Sequence, residues 1–198
     1  MKEPVIVANG GANIASLQYA LEKLGCAPYF SADYRDIADA THVILPGVGA
    51  AQDAMSRLHA AGLSALIPQL SQPVLGICLG MQLLYESSEE QNVRCIGVLP
   101  GRARRFEPAL GRPVPHMGWN QLRAVHAHPL LAGISDGDYV YFVHSYALPP
   151  AGETIAVSEY GAEFSAIVSS GNFHGAQFHP ERSAETGARF LANFLALS

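Results

Sequence analysis

The sequence predicts an α/β fold with a mostly parallel central sheet and an added antiparallel portion. In the first half of the chain, short apolar runs alternate with amphipathic helical segments, and units of this kind place their strands in parallel. Beyond about residue 98, the strand-like runs are separated by Pro and Gly instead of helical segments, which predicts antiparallel pairing. With 198 residues, 49% of them hydrophobic, the chain is long enough for one sizeable core.

The elements of the first half follow from apolar patterning. Short apolar runs predict strands at 5–8, 27–30, 43–45 and 74–77, and the last two of these runs end in a Gly-containing turn with a helical pattern beyond it. Between the first two strands, a helix is expected at 14–24. The residues on its apolar face are Leu17, Ala20, Leu21 and Leu24. This spacing is typical of a helix packed on a sheet.

In the second half, strand-like runs occur at 139–143, 155–158, 166–169 and 173–178. A last helix is expected at 184–197, since Phe190, Leu191 and Phe194 fall on one side of it. Ser183 precedes this helix and is a plausible N-cap. No repeat or linker divides the sequence, so we expect a single domain covering residues 1–198.

Composition and charge exclude several classes of protein. Twelve Lys and Arg stand against seventeen Asp and Glu, which gives a net charge of −5 and disfavours nucleic acid as a partner. The long uncharged stretch at 58–85 is broken repeatedly by Gly and Pro, so it is not expected to span a membrane. The first residues lack the apolar segment of a secretory signal. Three widely spaced cysteines form no disulfide framework, and we expect a cytoplasmic location.

The sequence Gly76-Ile77-Cys78-Leu79-Gly80 follows an apolar strand and precedes a helical segment. It is the cysteine counterpart of the nucleophile elbow, in which a sharp turn exposes the nucleophile at the carboxyl end of a strand. Cys78 is therefore a candidate nucleophile, and the backbone N–H of Leu79 a candidate oxyanion donor. The alternative is a buried core cysteine between two packing glycines.

A thiolate nucleophile needs a base and a group that orients the base. The sequence His179-Pro180-Glu181 contains both, because Pro180 favours an extended backbone at His179 and the carboxylate two positions later can hold the imidazole in one tautomer. A turn with a solvated acid is the alternative.

A third candidate element is Pro46-Gly47-Val48-Gly49, which follows the strand at 43–45. The glycines at 47 and 49 allow unusual dihedral angles and close approach of a ligand to the backbone. The Val48 N–H is therefore a second candidate oxyanion donor, although a simple strand-to-helix turn would use the same residues.

Together these elements resemble the class I glutamine amidotransferases, whose nucleophile motif is similar to residues 76–82 and whose closing pair is similar to His179-Pro180-Glu181. The resemblance implies a flavodoxin-like three-layer α/β sandwich, no cofactor, and a triad in which Cys78 attacks the side-chain amide of glutamine, His179 transfers the proton and Glu181 orients His179. It also implies a set of glutamine-binding residues. These are Gly47, Gly49, Gln82, Glu90, Ser145 and Tyr146. A helix-surface amide and one member of an acidic run are the alternatives for Gln82 and Glu90.

Within this family, residues 115–120, 141–146 and 177–183 resemble the glutaminase subunits of the histidine pathway. That resemblance implies a heterodimer with a separate (βα)₈-barrel cyclase subunit that uses the ammonia. The residues expected at the interface are Asn13, Met117, Trp119, Asn120, Tyr141 and Arg182. Trp119 is the only tryptophan in the sequence, and the alternative to an interface role for it is burial in the core. Two other functions stay open: a glutaminase for another synthase, such as pyridoxal phosphate synthase, and a non-catalytic regulatory protein on the same fold.

Other histidines are given no role. His126 and His128 have metal-ligand spacing but no accompanying acid or cysteine cluster, so no metal is expected. His42, His59 and His174 are interpreted as ordinary surface or strand-end residues.

Overall fold

The structure, a computed structural model, describes residues 3–10 and 14–198. The strands in these residues are Pro4–Val7 (β1), Tyr29–Ser31 (β2), His42–Gly47 (β3), Val74–Cys78 (β4), Tyr85–Ser88 (β5), Val93–Arg94 (β6), Leu99–Arg105 (β7), His116–Gln121 (β8), Arg123–Ala124 (β9), Tyr139–His144 (β10), Tyr146–Ala147 (β11), Thr154–Glu159 (β12), Glu163–Ser170 (β13) and Phe173–Ala176 (β14). The α-helices are Ile14–Lys23 (α1), Tyr34–Asp39 (α2), Ala51–Ala60 (α3), Leu63–Leu66 (α4), Leu79–Leu83 (α5) and Ala184–Leu195 (α6).

The central sheet has eight strands in the order β2-β1-β3-β4-β14-β13-β12-β9. Its first five strands are parallel to one another. The remaining strands, from β13 to β9, pair antiparallel. This arrangement confirms the expected mostly parallel sheet with an antiparallel portion.

Apolar side chains alternate between the two faces of the sheet. On β1, Val5 and Val7 join one core cluster with helices α2, α3 and α4, whereas Ile6 joins a second cluster with α1 and α6. On β3, Val43 and Leu45 belong to the first cluster and Ile44 belongs to the second. Successive side chains of each strand point to opposite faces of the sheet. Helices therefore pack against both faces, and the fold has three layers.

The strand β14 joins the parallel and antiparallel parts of the sheet. The sequence analysis placed residues 173–178 in the partly antiparallel half, but Phe173–Ala176 pairs parallel to β4 on one side and antiparallel to β13 on the other. In the parallel pair, Ala176 lies opposite Ile77. The residues that follow β4 and β14 therefore emerge at the same edge of the sheet.

Two smaller sheets cover this edge. Strands β8 and β10 form a two-stranded antiparallel ribbon, and β11, β7, β5 and β6 form a four-stranded sheet. Sequence analysis did not predict β5, because its Tyr-Glu-Ser-Ser sequence lies in an acidic run without apolar alternation. None of the helices in residues 3–10 and 14–198 is long and apolar enough to cross a membrane.

Two predictions at the ends of elements need correction. Ser183 does precede α6, but its hydroxyl makes no N-cap hydrogen bond. It donates to the His179 carbonyl (2.7 Å) and accepts from the Tyr141 N–H (2.9 Å). The helix also ends at Leu195, two residues earlier than expected. The side chain of Ser183 therefore joins β10 to the segment before α6, a contact that sequence proximity does not reveal.

His42 begins β3 and is a strand-end residue as expected, whereas His174 lies inside β14 and the interpretation of it as a surface or strand-end residue is wrong. Both are buried, and His174 contacts the Ser169 hydroxyl through Nδ1 at 2.9 Å. Burial, together with the nearby His128, lowers the pKa of His174 to about 4. His59, in contrast, is exposed.

Acidification is expected to destabilise the fold through His174. Between about pH 6.5 and pH 4, the unfolded chain binds a proton at this position that the folded chain does not, so the free energy of unfolding falls as pH falls. One such proton corresponds to a slope of about 1.4 kcal/mol per pH unit. Urea unfolding between pH 5 and pH 6 should show a slope smaller by about this amount in His174→Asn. His59→Asn, at an exposed histidine, is the control for the substitution itself. An unchanged slope in His174→Asn would contradict the assignment.

Candidate active site

Cys78 lies at the turn between β4 and α5 with a left-handed backbone. Its dihedral angles are φ 53° and ψ −112°, which are unfavourable for any residue with a Cβ. The side chain is 7% exposed and lines a cavity. A strained turn that presents a cysteine to a cavity is the geometry of a nucleophile elbow. Cys78 also belongs to the buried apolar cluster on the α1 and α6 face of the sheet, so core packing and contact with the cavity coexist at this residue.

The glycines around Cys78 serve close packing. A Cβ at Gly80 would lie 1.9 Å from the Leu45 carbonyl oxygen, and one at Gly76 would lie 2.6 Å from backbone atoms of Met81. A Cβ at Gly47 would lie 2.4 Å from the Gly80 nitrogen. Gly47 is thus required by its contact with the elbow rather than by unusual dihedral angles. Gly49 is the residue of this loop with a left-handed backbone, at φ 87°.

Substitution of Gly80 by alanine is expected to destabilise the protein by about 3 kcal/mol or more, because the new methyl group meets backbone that cannot move without separating β3 from α5. Urea denaturation measures the loss. Gly152→Ala is the matched control, since a Cβ there meets nothing within 4 Å and the residue has no left-handed φ. Equal unfolding midpoints for the two variants would show that the elbow tolerates the displacement.

His179 and Glu181 form a buried pair beside Cys78. The Nδ1 of His179 lies 2.9 Å from Oε1 of Glu181, and the His179 side chain is also hydrogen-bonded to Cys78. Burial opposes protonation of the imidazole, but the hydrogen bonds and charges of Cys78 and Glu181 outweigh it and raise the pKa of His179 to about 10. Since Nδ1 is directed at the carboxylate, Nε2 is the nitrogen available to Cys78. The alternative of a turn with a solvated acid does not describe this pair.

The backbone of His179 is held from both sides. Its dihedral angles are extended, as expected for a residue before proline. Its N–H donates to the Tyr141 carbonyl at 2.9 Å, and its carbonyl accepts from the Ser183 hydroxyl. Strand β10 therefore fixes the position of the imidazole relative to Cys78.

A cavity of about 530 Å³ brings most of the predicted site residues together. The predicted residues that line it are Gly47, Val48, Gly49, Cys78, Leu79, Gln82, Glu90, Ser145, Tyr146, His179 and Arg182. Sequence reasoning missed Pro115, Val143 and His144 in the wall, and Gln177, whose Nε2 lies 3.8 Å from the Cys78 sulfur. A signal for Gln177 was present in the sequence, since it is a polar residue within an otherwise apolar run.

Gln82 and Glu90 each present one oxygen that can accept from a ligand. The Nε2 of Gln82 donates to the Tyr146 carbonyl (2.7 Å) and to Oε1 of Gln177 (2.9 Å), so its amide oxygen is the atom left to accept. One carboxylate oxygen of Glu90 accepts from the Ala51 N–H at 2.8 Å. Gln82 is buried, so the alternative of a helix-surface amide is wrong.

The expected interface residues lie along the ribbon and beside His179. Met117 and Trp119 are 63% and 52% exposed, so the alternative of a buried tryptophan is wrong.

The Arg182 guanidinium lies over the Tyr141 ring at 4.6 Å. Asn120 is partly buried, and its amide nitrogen donates to the Glu159 carbonyl. Asn13 lies outside the described residues. Tyr139, which was not predicted, is 53% exposed on the same ribbon.

An α/β sandwich with a cysteine elbow at a cavity, and a buried His-Glu pair whose histidine lines the same cavity, is the architecture of a cysteine-dependent amidotransferase. The sequence profile of the family described as glutamine amidotransferase class-I matches residues 5–197. The chain therefore belongs to the class-I glutamine amidotransferase family.

Two similar proteins indicate which members of the family this chain resembles. The chain is 53% identical over 197 residues to the imidazole glycerol phosphate synthase subunit HisH of Xylella fastidiosa strain Temecula1, with 100% of this chain and 98% of the relative covered. It is 52% identical to the protein of that name from Xanthomonas campestris pv. campestris strain 8004, with 100% and 99% covered. The expected resemblance to the histidine-pathway glutaminases is thus confirmed.

Solved structures share the fold. A glutamine amidotransferase superposes with a TM-score of 0.75 at 20% identity, over 97% of this chain and 96% of that chain. The structure of PurLQS from Thermotoga maritima gives the same TM-score and identity, over 98% and 97%. These likenesses confirm the expected flavodoxin-like fold.

Proposed function

We propose that this chain hydrolyses glutamine to glutamate and ammonia and passes the ammonia to a separate (βα)₈-barrel cyclase subunit for imidazole glycerol phosphate synthesis, in the cytoplasm, as a single domain of residues 1–198. The observation that carries the proposal is the strained Cys78 elbow, which shares a cavity with His179, whose imidazole is paired with the buried Glu181. The names of the most similar relatives support the choice of synthase.

The chemistry follows from the three side chains. The Cys78 thiolate attacks the carboxamide carbon of glutamine, and the backbone N–H groups of Val48 and Leu79 stabilise the negative charge that develops on the oxygen. The His179 imidazolium gives its proton to the departing nitrogen, which leaves as ammonia. Water, deprotonated by the now neutral His179, then hydrolyses the glutamyl thioester and releases glutamate and the thiolate. Glu181 keeps the Nδ1 proton of His179 in place throughout.

Glutamine is held at its amino-acid end. The free oxygens of Gln82 and Glu90 suit the α-ammonium group, because both are acceptors and the carboxylate adds charge. Backbone N–H groups near Ser145 and Tyr146 suit the α-carboxylate, and the Gly47–Gly49 loop closes the cavity over the reacting amide.

A partner is needed because ammonia released into neutral water would be protonated and would lose its nucleophilicity. The ribbon exposes Met117, Trp119 and Tyr139, and Met117 lies opposite Val143, which lines the cavity. Exposed aromatic and methionine side chains are typical of binding surfaces. We place the cyclase on this surface, with Tyr141, Asn120, Asn13 and Arg182 at or near the contact.

The test of the proposed function supplies glutamine labelled with ¹⁵N in its side-chain amide to this chain together with the cyclase and its ribonucleotide substrate. We expect the label in imidazole glycerol phosphate and one glutamate for each product. The synthase subunit of pyridoxal phosphate synthase is the comparison partner and should not stimulate glutamine hydrolysis. Label transfer with that partner but not with the cyclase would contradict the assignment, and no turnover with either would favour a non-catalytic role.

Partner binding is expected to act on turnover. Docking of the cyclase with its nucleotide should raise kcat for glutamine more than it lowers KM, because we expect docking to turn the Val48 N–H toward the oxyanion. An oxyanion donor acts on the transition state, and each is worth roughly 10²- to 10³-fold in kcat. Steady-state kinetics of free and docked enzyme measure this. Equal kcat values would rule out gating of the oxyanion donor.

Gly49 is a suitable probe of that gating. Gly47 is not, because a Cβ there would collide with the elbow. A Cβ at Gly49 meets nothing within 4 Å, but alanine disfavours its φ of 87° by about 1 kcal/mol, or roughly fivefold in a loop equilibrium. We expect Gly49→Ala to change the ratio of docked to free kcat by about that factor. An unchanged ratio would place the switch elsewhere.

A further inference from the structure

A directed chain of hydrogen bonds runs from the ribbon to the cavity through two buried histidines. Nδ1 of His116 lies 3.1 Å from Nε2 of His144, and Nδ1 of His144 lies 2.9 Å from the Tyr146 carbonyl oxygen. At the other end, Nδ2 of Asn120 lies 3.4 Å from Nε2 of His116. His116 and His144 are both buried, and neither has a role in the proposed chemistry.

Backbone groups at the two ends of this series of hydrogen bonds determine which atom donates in each bond. The Tyr146 carbonyl can only accept, so Nδ1 of His144 carries a proton and its Nε2 accepts from Nδ1 of His116. The Asn120 amide oxygen accepts from the Gln121 N–H at 2.8 Å, which directs the amide nitrogen toward His116. Both rings are therefore neutral Nδ1–H tautomers.

Burial supports this assignment. It lowers the pKa of His116 to about 4 and, despite the hydrogen bond to Tyr146, the pKa of His144 to about 3. The His116 ring also lies between the rings of Tyr160 and Phe142, at centroid distances of 4.1 and 5.0 Å. The two imidazoles are thus fixed in position as well as in tautomer.

This series of hydrogen bonds ends at the Tyr146 carbonyl, which orients the side chain of Gln82. The Tyr146 carbonyl accepts from His144 on one side and from Nε2 of Gln82 on the other. With both acceptor directions used, the carbonyl cannot rotate without losing a buried hydrogen bond. A displaced carbonyl would release the Gln82 amide, which could then present its nitrogen instead of its oxygen to the cavity.

We propose that His116 and His144 are positioning residues for glutamine recognition, which hold the Tyr146 carbonyl so that Gln82 presents its amide oxygen to the α-ammonium group of the substrate. This inference rests on the proposed glutaminase function. It concerns binding of the amino-acid end, which is distant from the scissile amide, so its effect falls on KM rather than on kcat.

The kinetic test uses two variants of His144 in the complex with the cyclase. His144→Leu removes both hydrogen bonds, and we expect KM for glutamine to rise about tenfold or more, with kcat within about threefold of wild type. His144→Asn keeps a donor near the position of Nδ1, and KM should return to within about threefold of wild type. A role in packing alone predicts the opposite order, because leucine suits an apolar surrounding better than asparagine.

The control is His174→Leu, which removes another buried histidine that lies outside the chain of hydrogen bonds and should leave KM unchanged. A wild-type enzyme that turns over glutamine, with a KM that His144→Leu does not change, would overturn this inference and leave the proposed function standing. Absence of glutamine turnover in the wild-type complex would instead count against the proposed function.

A measurement on the wild-type protein decides the tautomers whatever the stability of the variants. Long-range ¹H–¹⁵N spectra of protein labelled at histidine should show His116 and His144 as neutral Nδ1–H tautomers at pH 7. An Nε2–H tautomer at His144 would overturn the proposal, because the Tyr146 carbonyl would then lack its donor.

Discussion

Replacement of Cys78 by alanine is expected to reduce glutamine hydrolysis by at least about 10⁴-fold, the scale on which removal of a nucleophile acts in enzymes with a comparable triad. Ammonia-dependent synthesis by the complex with the cyclase should stay within about twofold of wild type, because Cys78 serves only the release of ammonia. The two activities are measured on one preparation, with glutamine or with an ammonium salt as the nitrogen source.

Alanine is a suitable replacement because it keeps the Cβ that the strained backbone of Cys78 already accommodates, so the fold should be unaffected. Cys95→Ala is the matched control. Cys95 is also buried, and burial followed by the charge of Glu90 raises the pKa of its thiol to about 11, so the thiol is neutral at pH 7 and its loss should leave hydrolysis unchanged. Appreciable glutaminase activity in Cys78→Ala would remove this residue from the mechanism.

His179→Ala should reduce kcat by about 10⁴-fold or more, and Glu181→Ala by a smaller factor of about 10² to 10³, because the imidazole transfers protons whereas the carboxylate orients it. Both changes leave β10 and Ser183 in place to support the backbone of residue 179. Single-turnover rates of ammonia release measure the effect. A larger loss in a correctly folded Glu181→Ala variant would reverse the two roles.

The pH profile separates orientation from a structural role. The His179 pKa is raised to about 10 with Glu181 among the causes, so removal of the carboxylate should lower that pKa. The alkaline limb of kcat/KM, where the imidazolium that protonates the departing nitrogen is lost, should therefore move to lower pH in Glu181→Ala. An alkaline limb that does not move would indicate that Glu181 contributes only to folding.

The local parts of the site could be predicted from the sequence. The elbow is a strand, a turn and a helix within a few residues, and its apolar run with flanking glycines is visible without any tertiary information. His179 and Glu181 are two residues apart across a proline, so the chain geometry at Pro180 already brings an imidazole and a carboxylate together. Short apolar runs that alternate with helical segments in the first half of the chain predicted a mostly parallel sheet.

The meeting of these parts depended on strand pairing. Cys78 and His179 are about 100 residues apart, and they share a cavity because β14 lies parallel to β4 within the sheet. Sequence patterns specify that a segment is a strand, but the choice of neighbour depends on which arrangement buries both faces of the whole sheet. For the same reason, the close contact between Gly47 and Gly80 is invisible in the sequence, where the loop glycines suggest unusual dihedral angles and close approach of a ligand.

By itself, the sequence determined the class of fold and predicted a candidate nucleophile and base, since each depends on residues that are neighbours in the chain. The tertiary structure decided the polar partners of buried groups: Ser183 bonded to Tyr141 and His179 instead of capping a helix, Gln177 beside the Cys78 sulfur, and His116 bonded to His144. The physical reason is that a buried polar atom must pair with whatever other polar atom is buried beside it, and packing of distant segments sets which atoms those are.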